Sequence, residues 1–303
     1  MGQIPLSGDP VFVFTDPGID DALALALITR STKLRLLGAC GVDGNVPSRL
    51  ATANLAGLLR LFRAKNISVF QSPVEDPPHR YATHVHGKNG LGNVRIVAPR
   101  HKSRKDLFDF LKAQGPFQIL SLGPLTAVAQ LLKASPEVSR QISRCVIMGG
   151  GFSRGNVTPF AEFNIHSNPE AAEEVFRSRV KKLLIPLDVT EKVRLYGDDL
   201  SRLKQSRSAS TKVLAGMLRF YFNFEKKNTG FYGGYMHDPS AFVAMIHPEF
   251  FQFRRAEVRV DTSNRNTRGR TTTRFSQIAS TWVAFEVDES AVRSVIMKGL
   301  LQK

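Results

Sequence analysis

Three aspartates within six residues, Asp16, Asp20 and Asp21, have the types and spacing most suited to chemistry near the start of the chain. Residues 11–15 before them are apolar, β-branched and aromatic, which is typical of a buried strand. Residues 22–28 after them have the composition of a buried helix. Ligands of open parallel α/β sheets bind at the carboxyl ends of the strands, so we expect these carboxylates to face a ligand crevice.

Two interpretations of the three acids stay open at this point. Asp20 and Asp21 fall in the first turn of the predicted helix, where carboxylates offset the partial positive charge of the free amides. That explanation does not extend to Asp16, which lies on the other side of the turn. Three carboxylates in one crevice repel one another unless a cation lies between them, and oxygen-only ligands favour a hard ion such as Ca²⁺ or Mg²⁺.

Other polar residues occur where predicted strands end or helices begin. Asn45 follows the second predicted strand, and His86 lies in an aperiodic loop at 72–103, a length that is usually functional or mobile. Glu162 and Asn164 alternate in an apolar patch, which fits either a ligand site or a strand with one wet face. Asp238, which follows a histidine at the start of a predicted helix, fits a ligand site or a simple helix cap.

Strand and helix patterns alternate along most of the chain, which predicts an α/β fold. We expect an open, mostly parallel, Rossmann-like central sheet with helices on both faces, followed by a β-hairpin and a closing helix, in a single domain over 1–303. The predicted strands are 11–15, 34–42, 67–70, 117–122, 144–148, 182–188, a hairpin from Ala256, and 282–287. The predicted helices are 22–28, one capped by Ser48, 104–114, 126–133, one capped by Asn168, 209–226, one from His237 and one from Glu289.

Composition limits the class of protein. With 303 residues, 42% of them hydrophobic, the chain is long enough for a sizeable core. It has neither a signal-peptide pattern nor an apolar run of about 18 residues, so we expect no membrane association. Cys40 and Cys145 are expected to be reduced core residues, which favours a cytoplasmic location. The net charge of +16 indicates either polyanion binding or a solvated basic surface, and without a nucleic-acid-binding motif we favour the surface.

Taken together, the motifs resemble the nucleoside hydrolases, the family of inosine–uridine preferring nucleoside ribohydrolases, over nearly the whole chain. The resemblance rests mainly on Asp16-Pro17-Gly18-Ile19-Asp20-Asp21-Ala22 and His237-Asp238-Pro239, which are highly specific in this order and separation. The supporting motifs are Gly44-Asn45, His86-Gly87, Leu122-Gly123-Pro124-Leu125-Thr126, Met148-Gly149-Gly150-Gly151, Glu162-Phe163-Asn164 and Pro169-Glu170-Ala171-Ala172.

The resemblance implies hydrolysis of the N-glycosidic bond of ribonucleosides with one Ca²⁺ as cofactor, in a homodimer or homotetramer. It implies as metal ligands Asp16, Asp21, Asp238 and the carbonyl of Leu122. It implies catalytic roles for Asp16, as the base for the attacking water, and His237, as the acid for the leaving base. It implies contacts with the nucleoside from Asp20, Asn45, His86, Met148, Glu162, Asn164 and, in the aromatic loop 228–235 beside the base, Tyr232.

One departure from the family pattern concerns Phe14, which stands where the family usually has an acid two residues before Asp16. We expect Phe14 to be a buried apolar side chain and the affinity for Ca²⁺ to be weaker if that acid supports the metal. The presumed direct ligands are all retained, so activity is the expected outcome. The alternative is a catalytically weak or inactive scaffold that binds nucleosides or polyanions.

Overall fold

A nine-stranded sheet forms the centre of the molecule. The structure, a computed structural model, describes residues 10–74, 76–77, 81–98, 106–263 and 265–302. The order of the strands in the sheet is β10-β9-β11-β6-β5-β4-β1-β2-β3. They are β1 Pro10–Thr15, β2 Arg35–Gly41, β3 Ser68–Gln71, β4 Phe117–Ser121, β5 Ile142–Met148, β6 Lys182–Ile185, β9 Phe251–Val260, β10 Thr271–Phe275 and β11 Thr281–Val287. A separate antiparallel pair consists of β7 Arg194–Tyr196 and β8 Gly233–Tyr235.

The strands β11, β6, β5, β4, β1, β2 and β3, in this order across the sheet, pair in parallel. Strand β9 pairs antiparallel with both β11 and β10. The predicted α/β fold with a mostly parallel sheet and a C-terminal hairpin is therefore confirmed. Parallel strands that are covered on both faces need apolar residues on both faces, and β1 is an example. Val11 and Val13 pack on one side of the sheet, whereas Phe12 and Phe14 pack on the other. Phe14 is fully buried, as expected.

Helices cover both faces of the sheet. The longer ones are α1 Ile19–Arg30, α2 Ser48–Leu61, α5 Thr126–Ala134, α8 Pro169–Arg177, α10 Gly197–Lys204, α11 Ala209–Thr229, α12 His237–Ile246 and α13 Glu289–Leu301. The shorter ones are α3 Thr83–His86, α4 Leu107–Lys112, α6 Pro136–Gln141, α7 Phe163–Ser167 and α9 Leu187–Thr190, with a 3₁₀ turn at Pro248–Phe250. Within the described ranges no helix combines the length and the apolar character needed to cross a bilayer.

Several local expectations need correction. The strand expected at 182–188 ends at Ile185, because Pro186 cannot donate to the ladder, and α9 follows. Ser48 is the first residue of α2 and not its cap; the carboxylate of Asp43 accepts the Ser48 amide at 3.0 Å. Glu162 and Asn164 lie at the start of α7, so the interpretation as a wet-faced strand was wrong. The loop at 72–103 contains the helical turn α3; its residues 75, 78–80 and 99–103 lie outside the described ranges.

Other expectations hold. Asn168 caps α8 with its side chain, which accepts the amide of Ala171, and α12 begins at His237. Helix α4 occupies the described part of the range expected at 104–114. Cys40 and Cys145 are both free and buried, as expected. The order of these elements brings the ends of β1, β4 and β5 together with the starts of α1, α7 and α12 at one edge of the sheet.

Candidate active site

A cavity of about 290 Å³ opens at the carboxyl edge of the parallel strands. It lies where the α/β pattern predicted a ligand crevice. The structure brings into its lining all of the predicted site residues except Asp16 and Tyr232. These lining residues are Asp20, Asp21, Asn45, His86, Leu122, Met148, Glu162, Asn164, His237 and Asp238.

Asp16 directly follows β1 and lies close to Asp21 and Asp20, which line this cavity. Its Oδ2 accepts the amide of Asn45 at 2.6 Å, whereas its Oδ1 is buried and has no hydrogen-bond partner among the described residues. Gly44 and Gly123 pack so closely on this carboxylate that a Cβ at either position would overlap it. A buried carboxylate oxygen without a partner is energetically unfavourable, and a cation beside it is one way to complete its environment.

Three further carboxylates converge next to Asp16. Asp20, Asp21 and Asp238 are buried, and each offers an oxygen within 4.8 Å of the others. Asp21 is held in place by the Thr15 hydroxyl at 2.5 Å and the Gly18 amide at 2.9 Å. Asp20 and Asp21 come from the first turn of α1, and Asp238 comes from the first turn of α12. The two helix starts therefore direct their acids into one space.

Burial is the main cause of the raised pKa of each of these carboxyl groups. It raises the pKa of Asp20 to about 6. Burial also raises the pKa of Asp21, and the negative charge of Asp20 adds to this increase. The pKa of Asp238 lies well above its usual range because of burial and the charges of Asp21, Asp20 and Asp16. The pKa of Asp16 is raised similarly, by burial and then by Asp21. Within the described ranges no lysine, arginine or histidine forms an ion pair with these four aspartates.

These residues fit a divalent cation. The donors are all oxygens, which suits a hard ion, and the carboxylates are already close together before an ion is considered. The unpartnered Oδ1 of Asp16 lies beside them. The structure groups Asp20, Asp21 and Asp238 most tightly, whereas the sequence-based ligand set had Asp16 in place of Asp20. A cation would offset the repulsion between the carboxylates and would also provide a partner for Oδ1 of Asp16.

Two asparagines organise the surrounding backbone. Asn164 donates from Nδ2 to the carbonyls of Leu122 at 2.7 Å and Met148 at 3.2 Å, which ties the ends of β4 and β5 together. Asn45 donates from its side chain to Asp21 at 3.3 Å. The carbonyl predicted as a metal ligand, that of Leu122, thus lies in the cavity wall and already accepts one hydrogen bond.

Glu162 caps helix α7. One carboxylate oxygen accepts the amide of Asn164 at 2.9 Å, and the other accepts the amides of Gly150 at 2.9 Å and Ile165 at 3.2 Å. Burial raises the pKa of Glu162, and these amides counter the effect. The side chain therefore fixes the glycine-rich turn after β5 and also contributes to the cavity wall.

Two histidines border the same space. The Nδ1 of His86 accepts the amide of Ile19 at 3.0 Å, and the Nδ1 of His237 lies 2.7 Å from the hydroxyl of Thr190. Burial lowers the pKa of each histidine to about 4. At His237, electrostatic repulsion from His86 lowers the pKa further. Both rings are neutral at neutral pH, and in each the Nε2 is the nitrogen left available to a ligand.

Comparison with known proteins identifies the family. The family model described as inosine-uridine preferring nucleoside hydrolase matches residues 11–294. The chain belongs to this family. It is 37% identical over 271 residues to uridine nucleosidase 1 of Arabidopsis thaliana, covering 86% of this chain and 81% of that protein. It is 34% identical over 271 residues to the pyrimidine-specific ribonucleoside hydrolase RihA of Salmonella typhi, covering 86% of this chain and 87% of that protein.

Solved structures agree with this membership. A plant nucleoside hydrolase, PpNRh1, superposes with a TM-score of 0.91 at 29% identity, covering 98% of this chain and all of that one. A purine-preferring ribonucleoside hydrolase from Gardnerella vaginalis superposes with a TM-score of 0.89 at 27% identity, covering 96% of this chain and 98% of that one. The chain is therefore a nucleoside hydrolase, an enzyme that acts on N-glycosyl compounds.

The aromatic part of the nucleoside hydrolase cavity differs from the sequence-based expectation. Tyr232 does not line the cavity; its ring packs edge-on against Phe222 at 5.6 Å. Tyr235, at the end of the same loop, lines the cavity together with Tyr221 and Phe224 of α11. Tyr221 stacks near His86, with 6.4 Å between the ring centroids. The helical spacing of α11 indicated inward side chains, but it could not separate those facing a ligand from those facing the core.

Two acids of the nucleoside hydrolase cavity were also missed by the sequence reasoning. Glu191 and Glu225 line it on the side of the aromatic residues. Burial raises the pKa of Glu225. Neither residue belongs to a recognisable motif, since one follows α9 and the other lies late in α11. Only their position opposite the carboxylate cluster marks them.

Proposed function

We propose that this nucleoside hydrolase uses Ca²⁺ to hydrolyse the N-glycosidic bond of pyrimidine ribonucleosides, with uridine as its best substrate. The observation that carries the proposal is the buried cluster of Asp20, Asp21 and Asp238 beside the unpartnered Oδ1 of Asp16. Glycosidic cleavage passes through an oxocarbenium-like sugar, and negative carboxylates stabilise the positive charge that develops on it. The site is acidic on the side where that charge would form.

Calcium is the cofactor that the donor chemistry favours. Asp21, Asp238 and either Asp16 or Asp20 would hold it, and carboxylate and carbonyl oxygens are its preferred ligands. The chemistry that Ca²⁺ supplies there is electrostatic, since it stabilises negative charge on oxygen and offsets the repulsion between the carboxylates. Mg²⁺ is the competing ion, and it demands a more regular octahedron.

Asp16 is our candidate for the base that takes a proton from the attacking water. Its Oδ1 has no hydrogen-bond partner among the described residues, so this oxygen would be available to accept a proton from a water molecule. The ribose hydroxyls would meet Asp20, Asn45, Asn164, Glu162 and the main chain of Met148. Holding the sugar by these groups orients C1′ for attack.

The leaving base would lie towards His237, His86, Tyr221 and Tyr235. The hydroxyl of Thr190 lies 2.7 Å from Nδ1 of His237. In the tautomer in which Nδ1 accepts from this hydroxyl, Nε2 carries the hydrogen and would donate a hydrogen bond to a base that gains negative charge as it departs. The pyrimidine preference rests on the similarity to uridine nucleosidase 1 and to the pyrimidine-specific ribonucleoside hydrolase RihA.

Ribose release from uridine, cytidine, inosine and adenosine tests the proposal, with each nucleoside assayed before and after chelation. We expect uridine to be cleaved fastest, and we expect chelation to abolish the release and Ca²⁺ to restore it. No release from any nucleoside with Ca²⁺ present would refute the activity. Faster cleavage of inosine than of uridine would refute the pyrimidine preference, and restoration by Mg²⁺ alone would refute the choice of ion.

Assembly and location complete the proposal. We propose a homodimer or homotetramer in the cytoplasm, on the family resemblance and the two reduced cysteines. Light scattering of the purified protein measures the assembly, and a monomeric mass would contradict it.

A further inference from the structure

A second cavity, of about 910 Å³, lies between α2, the segment 95–97 and the start of α11. It shares no lining residue with the active site. Five arginines line it, and among the described residues no Asp or Glu does. They are Arg30, Arg60, Arg63, Arg95 and Arg207. Such a concentration of one charge in a concave surface attracts anions.

None of the five arginines of this cavity has a carboxylate partner among the described residues. Within the described ranges, Arg60, Arg63, Arg95 and Arg207 form no ion pair. By contrast, Arg154, Arg259, Arg268, Arg274 and Arg293 each pair with an Asp or Glu. The second cavity is thus a place where positive charge is gathered and not neutralised by the protein.

Arg30 is fixed in this wall. Its guanidinium donates to the carbonyls of Gly299 at 3.1 Å and Leu300 at 2.9 Å, and to the hydroxyl of Ser210 at 2.9 Å. All three acceptors are neutral oxygens, and burial lowers the pKa of Arg30. These bonds hold the Arg30 guanidinium at a fixed position in the cavity wall, where it adds one positive charge to those of the other four arginines.

The start of α11 adds to the same wall. Ser208 caps this 21-residue helix, and Ala209 and Ser210 also line the cavity. The amides of a first helical turn have no acceptor within the helix, and they carry partial positive charge. Arginine forks and such amides are together the groups that recognise phosphate oxygens.

A purely structural explanation covers part of the cluster. Arg60 and Arg63 lie at the end of α2, where positive side chains complement the helix dipole. The helix dipole does not explain Arg95, because this residue lies outside any helix. It does not explain Arg207 either, because Arg207 precedes the positive end of α11, where a cation is unfavourable. An anion relieves the repulsion at all five positions.

We propose that this second cavity binds a small phosphate-bearing anion, as free phosphate or as a phosphate ester. Its walls also contain Phe62, Ile96 and Val97, which give an organic ester apolar surface to contact. The site does not depend on the catalytic assignment, because the two cavities have separate linings.

Titration calorimetry in a low-salt chloride buffer tests this proposal, with inorganic phosphate and glucose 6-phosphate as probes. We expect saturable binding of at least one probe that weakens as salt is added. Equal affinity for both probes identifies the phosphate group as the recognised part. Tighter binding of glucose 6-phosphate identifies an ester as the preferred source.

The decisive variant is Arg95→Gln with Arg207→Gln. Both side chains are exposed, so folding is preserved, and hydrogen bonds to charged groups predict a loss of affinity of roughly tenfold or more. The matched control is Arg49→Gln with Arg219→Gln, which removes the same charge from α2 and α11 outside the cavity. The control affinity is expected to stay within about twofold of the wild type.

Three results would overturn the proposal. The first is the absence of saturable binding of either probe. The second is an equal loss of affinity in the test and control variants, which indicates diffuse attraction to the whole surface. The third is retention of a single-stranded oligonucleotide with no binding of either small probe, which indicates a nucleic-acid surface instead.

Discussion

The two ends of the parallel sheet both bury charge, but they do so differently. At the carboxyl end, Asp16 and its three neighbouring aspartates repel one another, and one oxygen of Asp16 has no partner among the described residues. At the amino end, Lys182 begins β6 with its side chain buried. Its Nζ donates to the carbonyls of Ser178 and Val180, each at 2.7 Å, and to the Ser178 hydroxyl at 3.3 Å.

The difference separates structure from function. Burying a charge is strongly unfavourable unless hydrogen bonds or a counter-ion replace water. The three oxygens around Lys182 match the three donors of an ammonium group, so the fold completes that site itself. The aspartate cluster is incomplete in the same sense, and a cation from outside the chain would complete it. Mutations at the two ends should therefore affect different measurements.

The largest effect on activity is expected from Asp238→Asn, which keeps the volume and removes the charge. Losing a group that only supports a metal ligand lowers affinity or activity roughly 10–100-fold, so losing a direct carboxylate should exceed about 100-fold. In chelator the variant should unfold at the same temperature as the wild type or higher, because a repulsive charge is gone. Calcium titration, ribose release and thermal unfolding measure these effects.

Asp198→Asn is the control for that substitution, since Asp198 is exposed on α10. It should leave calcium binding, activity and unfolding unchanged. Wild-type calcium affinity in Asp238→Asn would remove Asp238 from the site. A lower unfolding temperature in chelator would show that the cluster stabilises the fold without a cation, and the contrast with Lys182 would be lost.

A smaller effect is expected from Gly123→Ala. The added Cβ would overlap Oδ1 of Asp16 and displace the carboxylate without changing any charge. Small displacements of catalytic groups lower rates by up to about 100-fold, so we expect a loss of roughly 10–100-fold in kcat for uridine. Gly216→Ala in α11 is the control, because its Cβ meets only ordinary contacts and should stabilise the helix slightly. Equal kcat in both variants would contradict the position assigned to Asp16.

The sequence allowed the carboxylate cluster to be predicted because its members occupy positions with fixed geometry. Asp16 directly follows a strand and Asp20 and Asp21 occupy a first helical turn, which placed these three at one edge of the sheet. Asp238 also lies in a first helical turn, but only the family resemblance distinguished it from a simple helix cap. Tyr221 and Glu225 could not be predicted, since a residue in an inward helical stripe faces either core or cavity depending on tertiary packing. Glu162 was misread because capping and strand alternation produce the same local spacing.

At the other end of the sheet, Lys182→Met should lower stability and spare catalysis. It leaves buried carbonyls unsatisfied, which lowers the free energy of unfolding by about 1–3 kcal/mol. Burial lowers the pKa of Lys182 to about 8, whereas the unfolded chain has a lysine pKa of about 10.4. Between these values the unfolded state binds more protons, so wild-type stability should rise relative to the variant as pH increases from about 8 to about 10.

Urea unfolding of both proteins across this range measures the difference; Cys145, which interacts electrostatically with Lys182, is replaced by alanine in both proteins. Lys181→Met is the control, since Lys181 is exposed next to it. A difference that is flat with pH would show that the three oxygens hold the ammonium charged at every pH tested. A loss of ribose release in Lys182→Met would contradict the separation between the two ends.

The smallest effect is expected from Arg254→Ala in the basic C-terminal strands. The guanidinium of Arg254 lies over the rings of Phe275 and Phe285, at 5.3 and 4.4 Å from their centroids, where it covers apolar surface. Of its neighbours, Arg259 pairs with Glu173 and Arg274 with Glu257. Surface contacts of this kind contribute about 1 kcal/mol or less, so kcat/KM for uridine should stay within about twofold.

That result would separate the basic surface from catalysis. The arginines Arg254, Arg259 and Arg274 find their partners within the protein, as Lys182 does. They lie outside the cavity that contains the aspartates. If Arg254→Ala instead lowered kcat/KM as much as Gly123→Ala, the C-terminal strands would influence the active site. A charged side chain whose partners all come from the protein could then no longer be assumed to have only a structural role.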